Sequence, residues 1–187
     1  MPTSATPLAG KVALITGSSR GLGKDAAIEL ASRGADIVIN YANSEKAAQE
    51  VVDTILGLGR KAVAIKADVS VPEEITSLFE QAIKYFGKLD IVYSNSGREH
   101  FGKITDVTPE DFDRTFAVNT RGQFFVAKEA YKHISRGGRL ILTSSISVQS
   151  RSVKHHAVYA GSKSAIEAFT RCFAAGSQLH ALRSISF

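Results

Sequence analysis

Residues 11–23, KVALITGSSRGLG, decide the fold. Lys11–Thr16 (KVALIT) is a short apolar run, the pattern of a strand buried on both faces. Glycines follow at 17, 21 and 23, and from Gly21 to Arg33 the apolar residues Leu22, Ala26 and Leu30 recur with helical spacing. A strand that turns through glycines into a helix lets backbone come close to a ligand and aims N-terminal amides at it, which suits a pyrophosphate. The spacing is G-x-x-x-G-x-G, not the commoner G-x-G-x-x-G. A tight turn without a ligand is the plainer alternative.

The same alternation runs outward from this turn. Ala35–Tyr41, Lys61–Lys66, Leu89–Ser94 and Gly138–Ser144 read as strands. Between them, Ser44–Leu58 reads as a helix, with Ser44 as N-cap and Gly57/Gly59 as its stop. Pro72–Phe86 is a second, opened by proline and two glutamates. Thr108-Pro-Glu-Asp opens a third, which runs to about His133, and Ala157 to about Ala175 is the last. Strand and helix alternate without hairpin signals, which predicts right-handed βαβ units and an α/β, doubly wound parallel sheet. There is no repeat, linker or low-complexity tract. After Ala175, GSQLHALRSISF shows no recognisable strand and predicts a continued helix or a frayed end.

With 187 residues, the chain is expected to form one domain over 1–187. Its 44% hydrophobic and 22% charged residues exclude disordered and fibrous classes. No apolar run is long enough to span a membrane, and the first ten residues do not resemble a signal peptide. One cysteine, Cys172, forms no internal disulfide and fits a cytoplasmic location. Net charge is +5, but residues 130–187 hold eight Lys/Arg against Glu167 alone. An anionic cofactor, or an acidic segment that once followed, accounts for that excess. Without a basic run or interleaved aromatics, nucleic acid is not an expected partner.

The end of the second strand bears on the cofactor. A carboxylate there would bind the ribose hydroxyls of NAD. The sequence instead reads Asn40, Tyr41, Ala42, Asn43, Ser44, while Arg20 in the glycine turn offers a guanidinium fork suited to a phosphate. This favours NADP; a solvated Arg20 is the alternative. Tyr159 and Lys163 are four apart on a predicted helix and share a face, and Ser145 falls just past the fifth strand. An ordinary tyrosine, with a pKa near 10, is about 4 kcal/mol too weakly ionised for proton exchange at neutral pH. A nearby ammonium closes part of that gap, and a serine hydroxyl can polarise a carbonyl. A buried tyrosine beside a snorkelling lysine is the ordinary alternative.

Together these pieces resemble the short-chain dehydrogenase/reductase family: TGSSRGLG at 16–23, ADV at 67–69, NSG at 95–97, NTRG at 119–122, TSS at 143–145 and YAGSK at 159–163. The resemblance implies a Rossmann-like sheet with five readable strands in order 3-2-1-4-5. It implies a cofactor site of Gly17, Arg20, Gly21, Leu22, Gly23, Ala42, Asn43, Ser44, Asp68, Val69, Asn95 and Gly97, shared by Tyr159 and Lys163. Asn119, Ser145, Tyr159 and Lys163 would be catalytic: Asn119 holding a water, Ser145 orienting substrate, Tyr159 exchanging the proton and Lys163 binding the nicotinamide ribose. NYANS at 40–44, KLDIVYSNSG at 88–97, the stretch 101–133 and HAVYAGSK at 156–163 are similar to the fungal polyhydroxynaphthalene and versicolorin-type reductases. In these, Arg20, Ala42, Asn43 and Ser44 would hold the 2′-phosphate of NADPH. The substrate would be a ketone, the keto tautomer of an aromatic polyketide, in melanin or other secondary metabolism.

The sequence departs from that pattern after Ala175. The family's last two strands, Pro-Gly turn and substrate lid are not legible, so a C-terminally truncated sheet is expected, lacking a major surface for the family's usual homo-oligomer. A truncated, non-catalytic nucleotide-binding remnant is therefore the alternative function, and a nucleotide-binding regulator a third. Ser96 replaces the alanine usual between Asn95 and Gly97. Arg98-Glu99-His100 is more charged than expected beside an aromatic substrate, and Lys154 stands where the near relatives carry proline. His100, His155 and His156 do not have metal-ligand spacing, and solvated loop roles are expected for them.

Overall fold

Val12–Ile15 form β1, every residue of it buried, in the middle of a parallel sheet. The structure, a computed structural model, describes residues 6–149, 153–176 and 182–185. From β1 the chain passes through α1 (Gly21–Ser32), β2 (Asp36–Tyr41), α2 (Glu45–Gly57), β3 (Ala62–Lys66), α3 (Pro72–Phe86) and β4 (Leu89–Ser94). Next come α4 (Pro109–Phe116), a π-helical turn (Ala117–Gly122), α5 (Gln123–His133) and β5 (Ile134–Thr143). The short α6 (Ile146–Gln149), α7 (Ala157–Gly176) and β6 (Leu182–Ile185) follow. The strand order is β3-β2-β1-β4-β5-β6, all neighbours parallel.

Side chains alternate across each strand, so the sheet has two apolar faces. Leu14, Val38, Val92 and Leu140 join Ile75, Leu78 and Phe79 of α3, Val126 of α5 and Ile166 of α7 in one core. Ala13, Ile15, Ile37, Ile39 and Tyr93 pack on Ala27 and Ala31 of α1 and on Val51 and Ile55 of α2 in the other. This double cover is why the strands read as continuous apolar runs.

Local signals set most boundaries. Pro72, Glu73 and Glu74 open α3, and Gly87, with left-handed backbone, closes it. Thr108 caps α4 in a reciprocal box: its hydroxyl accepts the Asp111 N–H, and the Asp111 carboxylate accepts the Thr108 N–H. Ser44 stands at the N-cap of α2 but its side chain makes no capping bond. The long helix expected from Thr108 to His133 is interrupted by the π-helical turn, which places buried Asn119 at the loop after β4.

The order 3-2-1-4-5 stands, but the expectation that no strand follows β5 is corrected. Leu182–Ile185 pairs with β5, Leu140 opposite Leu182 and Thr143 opposite Ile185. An open strand edge presents unpaired N–H and C=O groups, and four residues can satisfy them through backbone alone. So short a strand leaves too little periodicity to read. Residues 177–181 and 186–187, the remainder of the expected frayed tail, lie outside the described residues.

Candidate active site

The carboxyl ends of β1, β4 and β5 meet at one edge of the sheet, bound together by short polar side chains. Thr16 Oγ1 accepts the N–H groups of Asn95 and Ser96, each at 3.0 Å. Asn95 Nδ2 donates back to the Thr16 carbonyl at 2.9 Å. On the other side, Asn40 Oδ1 accepts the Gly17 N–H at 3.0 Å, and Asn40 Nδ2 donates to the Ala67 carbonyl at 3.0 Å. Asn40, entirely buried, therefore fixes the glycine turn to β2 and β3. Its one sequence signal was an amide in an otherwise apolar strand.

The turn needs its glycines. Gly17 has φ +62°, and a Cβ there would lie 2.8 Å from Ser96 Oγ. A Cβ on Gly23 would lie 2.5 Å from Asn95 Nδ2 and 2.8 Å from the Gly17 carbonyl. Gly21 opens α1, preceded by exposed Arg20 and followed by exposed Leu22. The first turn of α1 holds no acidic residue, so its positive end is not neutralised there. At the end of β2, Ala42 and Ser44 are half-buried and Asn43 is exposed. After β3, exposed Asp68 accepts the Ser70 N–H at 2.8 Å, and Val69 is buried. The open turn, its cation and the bare helix end suit the phosphates of a dinucleotide.

Ser145, Tyr159 and Lys163 come together as expected. Ser145, just past β5, is buried beside the Tyr159 side chain, and its hydroxyl accepts from Ser147 Oγ at 3.0 Å. Lys163 Nζ lies 5.9 Å from the centre of the Tyr159 ring and donates to the Thr143 carbonyl at 2.9 Å. Gly97 adjoins it: a Cβ there would be 3.5 Å from Nζ. Lys163 is only 1% exposed, and burial pulls its ammonium from 10.5 down to about 8. Burial pushes the Tyr159 phenol above 10.0, Ser145 opposes that, and the charge of Glu99 adds to it. The lowering expected from the Lys163 ammonium does not appear: desolvation of the half-buried phenol is the largest influence, and Ser145 is what opposes it.

Asn119 has a local structural duty through its side chain. Its Oδ1 accepts the Arg98 N–H at 2.7 Å, and its Nδ2 donates to the Arg98 carbonyl and to Ser162 Oγ. It thus clamps the loop after β4 to α7. Gln123, which sequence reasoning missed, bonds both the N–H and the C=O of Thr143.

The histidines correct another expectation. His156 is not solvated; it is buried between two rings, 4.4 Å from that of Tyr159 and 4.3 Å from that of Phe101. A loop side chain can be buried by a distant aromatic that local sequence does not reveal. His100 is half-buried, its Nε2 3.9 Å from Asp111 Oδ2, whereas His155 is exposed. Among the described residues no group of His, Cys, Asp and Glu could hold a metal, and no helix is long and apolar enough to cross a membrane. Two open grooves, about 670 and 640 Å³, lie along α4, α5 and α7, lined by Phe124 and Phe125 among others; neither is lined by the Ser145–Tyr159–Lys163 group.

Residues 11–185 match the family model described as short chain dehydrogenase, and the chain belongs to that family. It is 60% identical over 171 residues to trihydroxynaphthalene reductase PfmaI of Pestalotiopsis fici, covering 91% of this chain and 61% of that protein. Versicolorin reductase stcU of Emericella nidulans is 56% identical over 167 residues, 89% of this chain and 63% of that one. A short chain dehydrogenase from Burkholderia cenocepacia, solved in complex with NADP, superposes with a TM-score of 0.86 at 38% identity, over 88% of this chain and 67% of the other. The chain thus spans 61% and 63% of the length of these two curated relatives.

Proposed function

We propose that the chain carries the cofactor site and proton-transfer group of an NADPH-dependent ketone reductase, acting in the cytoplasm on a keto tautomer of an aromatic polyketide. The observation that carries this reading is the grouping of Tyr159 with buried Ser145 and buried Lys163 at the same sheet edge as the glycine turn. The substrate class rests on the similarity to the trihydroxynaphthalene and versicolorin reductases.

In this reading the reduced nicotinamide, when bound, supplies a hydride to the carbonyl carbon. Gly17, Gly21, Leu22 and Gly23 receive the pyrophosphate. Arg20, with Ala42, Asn43 and Ser44, takes the 2′-phosphate; Asp68 and Val69 border the adenine; Asn95, Gly97 and Lys163 face the nicotinamide ribose. Ser145 orients the carbonyl oxygen. The Tyr159 hydroxyl gives that oxygen its proton, so the ketone becomes a secondary alcohol, and the phenolate is reprotonated from solvent. Lys163, its ammonium held near pH 8, favours the phenolate while it exists. Asn119 keeps the loop after β4 against α7 while this happens.

Two measurements test the proposal. Fluorescence titration of the purified chain is expected to show NADPH binding more tightly than NADH. Loss of NADPH absorbance with a naphthol-derived ketone is expected to require Tyr159. Equal affinity for the two cofactors would overturn the phosphate assignment, and turnover unaffected by Tyr159→Phe would overturn the proton donor.

A further inference from the structure

Tyr159 projects from the first turn of α7 and is half-buried, so packing around its ring fixes its plane. One face lies on the imidazole of His156, 4.4 Å away and inclined by 12°. The other face of that imidazole lies on Phe101, 4.3 Å away and inclined by 6°. The three rings form one continuous stack from the loop after β4 to the catalytic phenol. The edge of the imidazole has a polar neighbour: Nε2 is 3.3 Å from Glu99 Oε1, without the alignment of a hydrogen bond.

The backbone supports the same alignment. His155 has φ +65°, unusual for a residue other than glycine, and its carbonyl accepts the Gly102 N–H at 2.8 Å. That bond joins the residue before His156 to the residue after Phe101. Asn119 holds Arg98 on the same loop. The loop is therefore fixed on both sides of Phe101, while Phe101 itself is 62% exposed.

We infer that His156 is a positioning residue: clamped by Phe101, it sets the plane of the Tyr159 ring and so the direction in which the hydroxyl points. This rests on the reductase reading for its consequence in catalysis, but the stack itself can be tested without turnover. Stacking, not hydrogen bonding, carries the effect, so a phenyl ring at position 156 should replace the imidazole.

The test uses the whole chain labelled with 3-fluorotyrosine, whose five tyrosines give separate fluorine resonances; Tyr159→Phe identifies one of them. His156→Ala is expected to shift and broaden the Tyr159 resonance and leave the other four in place. His156→Phe is expected to restore a sharp line. Phe101→Leu, at an exposed site, is expected to shift the Tyr159 line as well, and decides the matter if His156→Ala does not fold. An unmoved Tyr159 line in folded His156→Ala, or in Phe101→Leu, would overturn the inference. In a turnover assay His156→Ala is expected to lower kcat at least about 10-fold with NADPH affinity unchanged, and His156→Phe to recover most of it. A chain that binds NADPH but never reduces a ketone refutes the reductase reading, and the fluorine spectra still decide the stack.

Discussion

Replacing Lys163 by methionine should make the protein more stable. The side chain is 1% exposed, and burial pulls its ammonium from 10.5 to about 8. At 1.36 kcal/mol for each pH unit, keeping that charge buried costs about 3 kcal/mol at neutral pH. Methionine has similar length and no charge. The substitution forfeits the bond from the charged Nζ to the Thr143 carbonyl, worth about 1.5–3 kcal/mol, but that carbonyl keeps its 2.9 Å bond from Gln123 Nε2. The expected gain is about 1 kcal/mol, or about 2–4 °C in Tm for a chain of this size. Its pH dependence identifies the cause. Below about pH 8 the lysine is protonated in both folded and unfolded chains, and the cost is present in full. Between about 8 and 10.5 the folded chain releases that proton first, so the original protein gains stability as pH rises. The advantage of Lys163→Met should therefore shrink across that window. Urea unfolding of both proteins at about pH 6, 8 and 10 measures it. A variant no more stable at the lowest pH, or with an advantage that does not change with pH, would refute the reasoning. Under the proposed function, the same variant should also lose turnover, since a stabilised site has lost its ammonium.

Arg20→Ala should remove most of the preference for NADPH over NADH, a loss of roughly 1.5–3 kcal/mol in a fluorescence titration. Gly23→Ala drives a methyl against Asn95 Nδ2 and the Gly17 carbonyl; thermal melts should show about 1–3 kcal/mol of destabilisation and a lost response to NADPH. Tyr159→Phe should lower turnover by about 100-fold or more while calorimetry shows NADPH bound as before. Asp90 is pushed up by burial but drawn below 3.8 by Lys88, the Val12 N–H and Lys11 together. Its stabilising effect is present above that ordinary value and is lost as pH falls through the lower folded one. Asp90→Asn should therefore flatten the acid limb of a stability–pH curve.

What was legible in the sequence was what local chemistry dictates. The α3 limits, Pro72 and Phe86, and the β4 limits, Leu89 and Ser94, were read to the residue because proline, acidic residues, glycine and an apolar run fall together there. The glycine turn and the four-residue offset between Tyr159 and Lys163 were legible for the same reason. The π-helical turn at Ala117–Gly122 was not, because inserting one wider turn barely disturbs the apolar spacing of the helices around it. Strand β6 was too short to show a period and depends on the open edge of β5. The burial of His156 depends on Phe101, 55 positions earlier, and on the loop that Asn119 restrains.

The distribution of buried polar residues explains why the site could still be located. Thr16, Ser18, Asn40, Asn119, Ser144, Ser145, Ser162 and Lys163 are all buried. Each carries a desolvation cost that a purely structural α/β sheet would avoid with apolar side chains. Many of them offset that cost by bonding to one another or to strand-end backbone: Asn119 to Ser162, Ser18 to Ile15 and Asn40, Lys163 to Thr143. Satisfied in this way, they hold the strand ends in one geometry rather than an ensemble. Opposite them, at the start of β4, buried Asp90 has a simpler task, pairing with Lys11 and Lys88. A chain that concentrates buried hydroxyls, amides and one ammonium at a single sheet edge has placed rigidity there in preference to maximal stability, which is where the proposed proton transfer would need it.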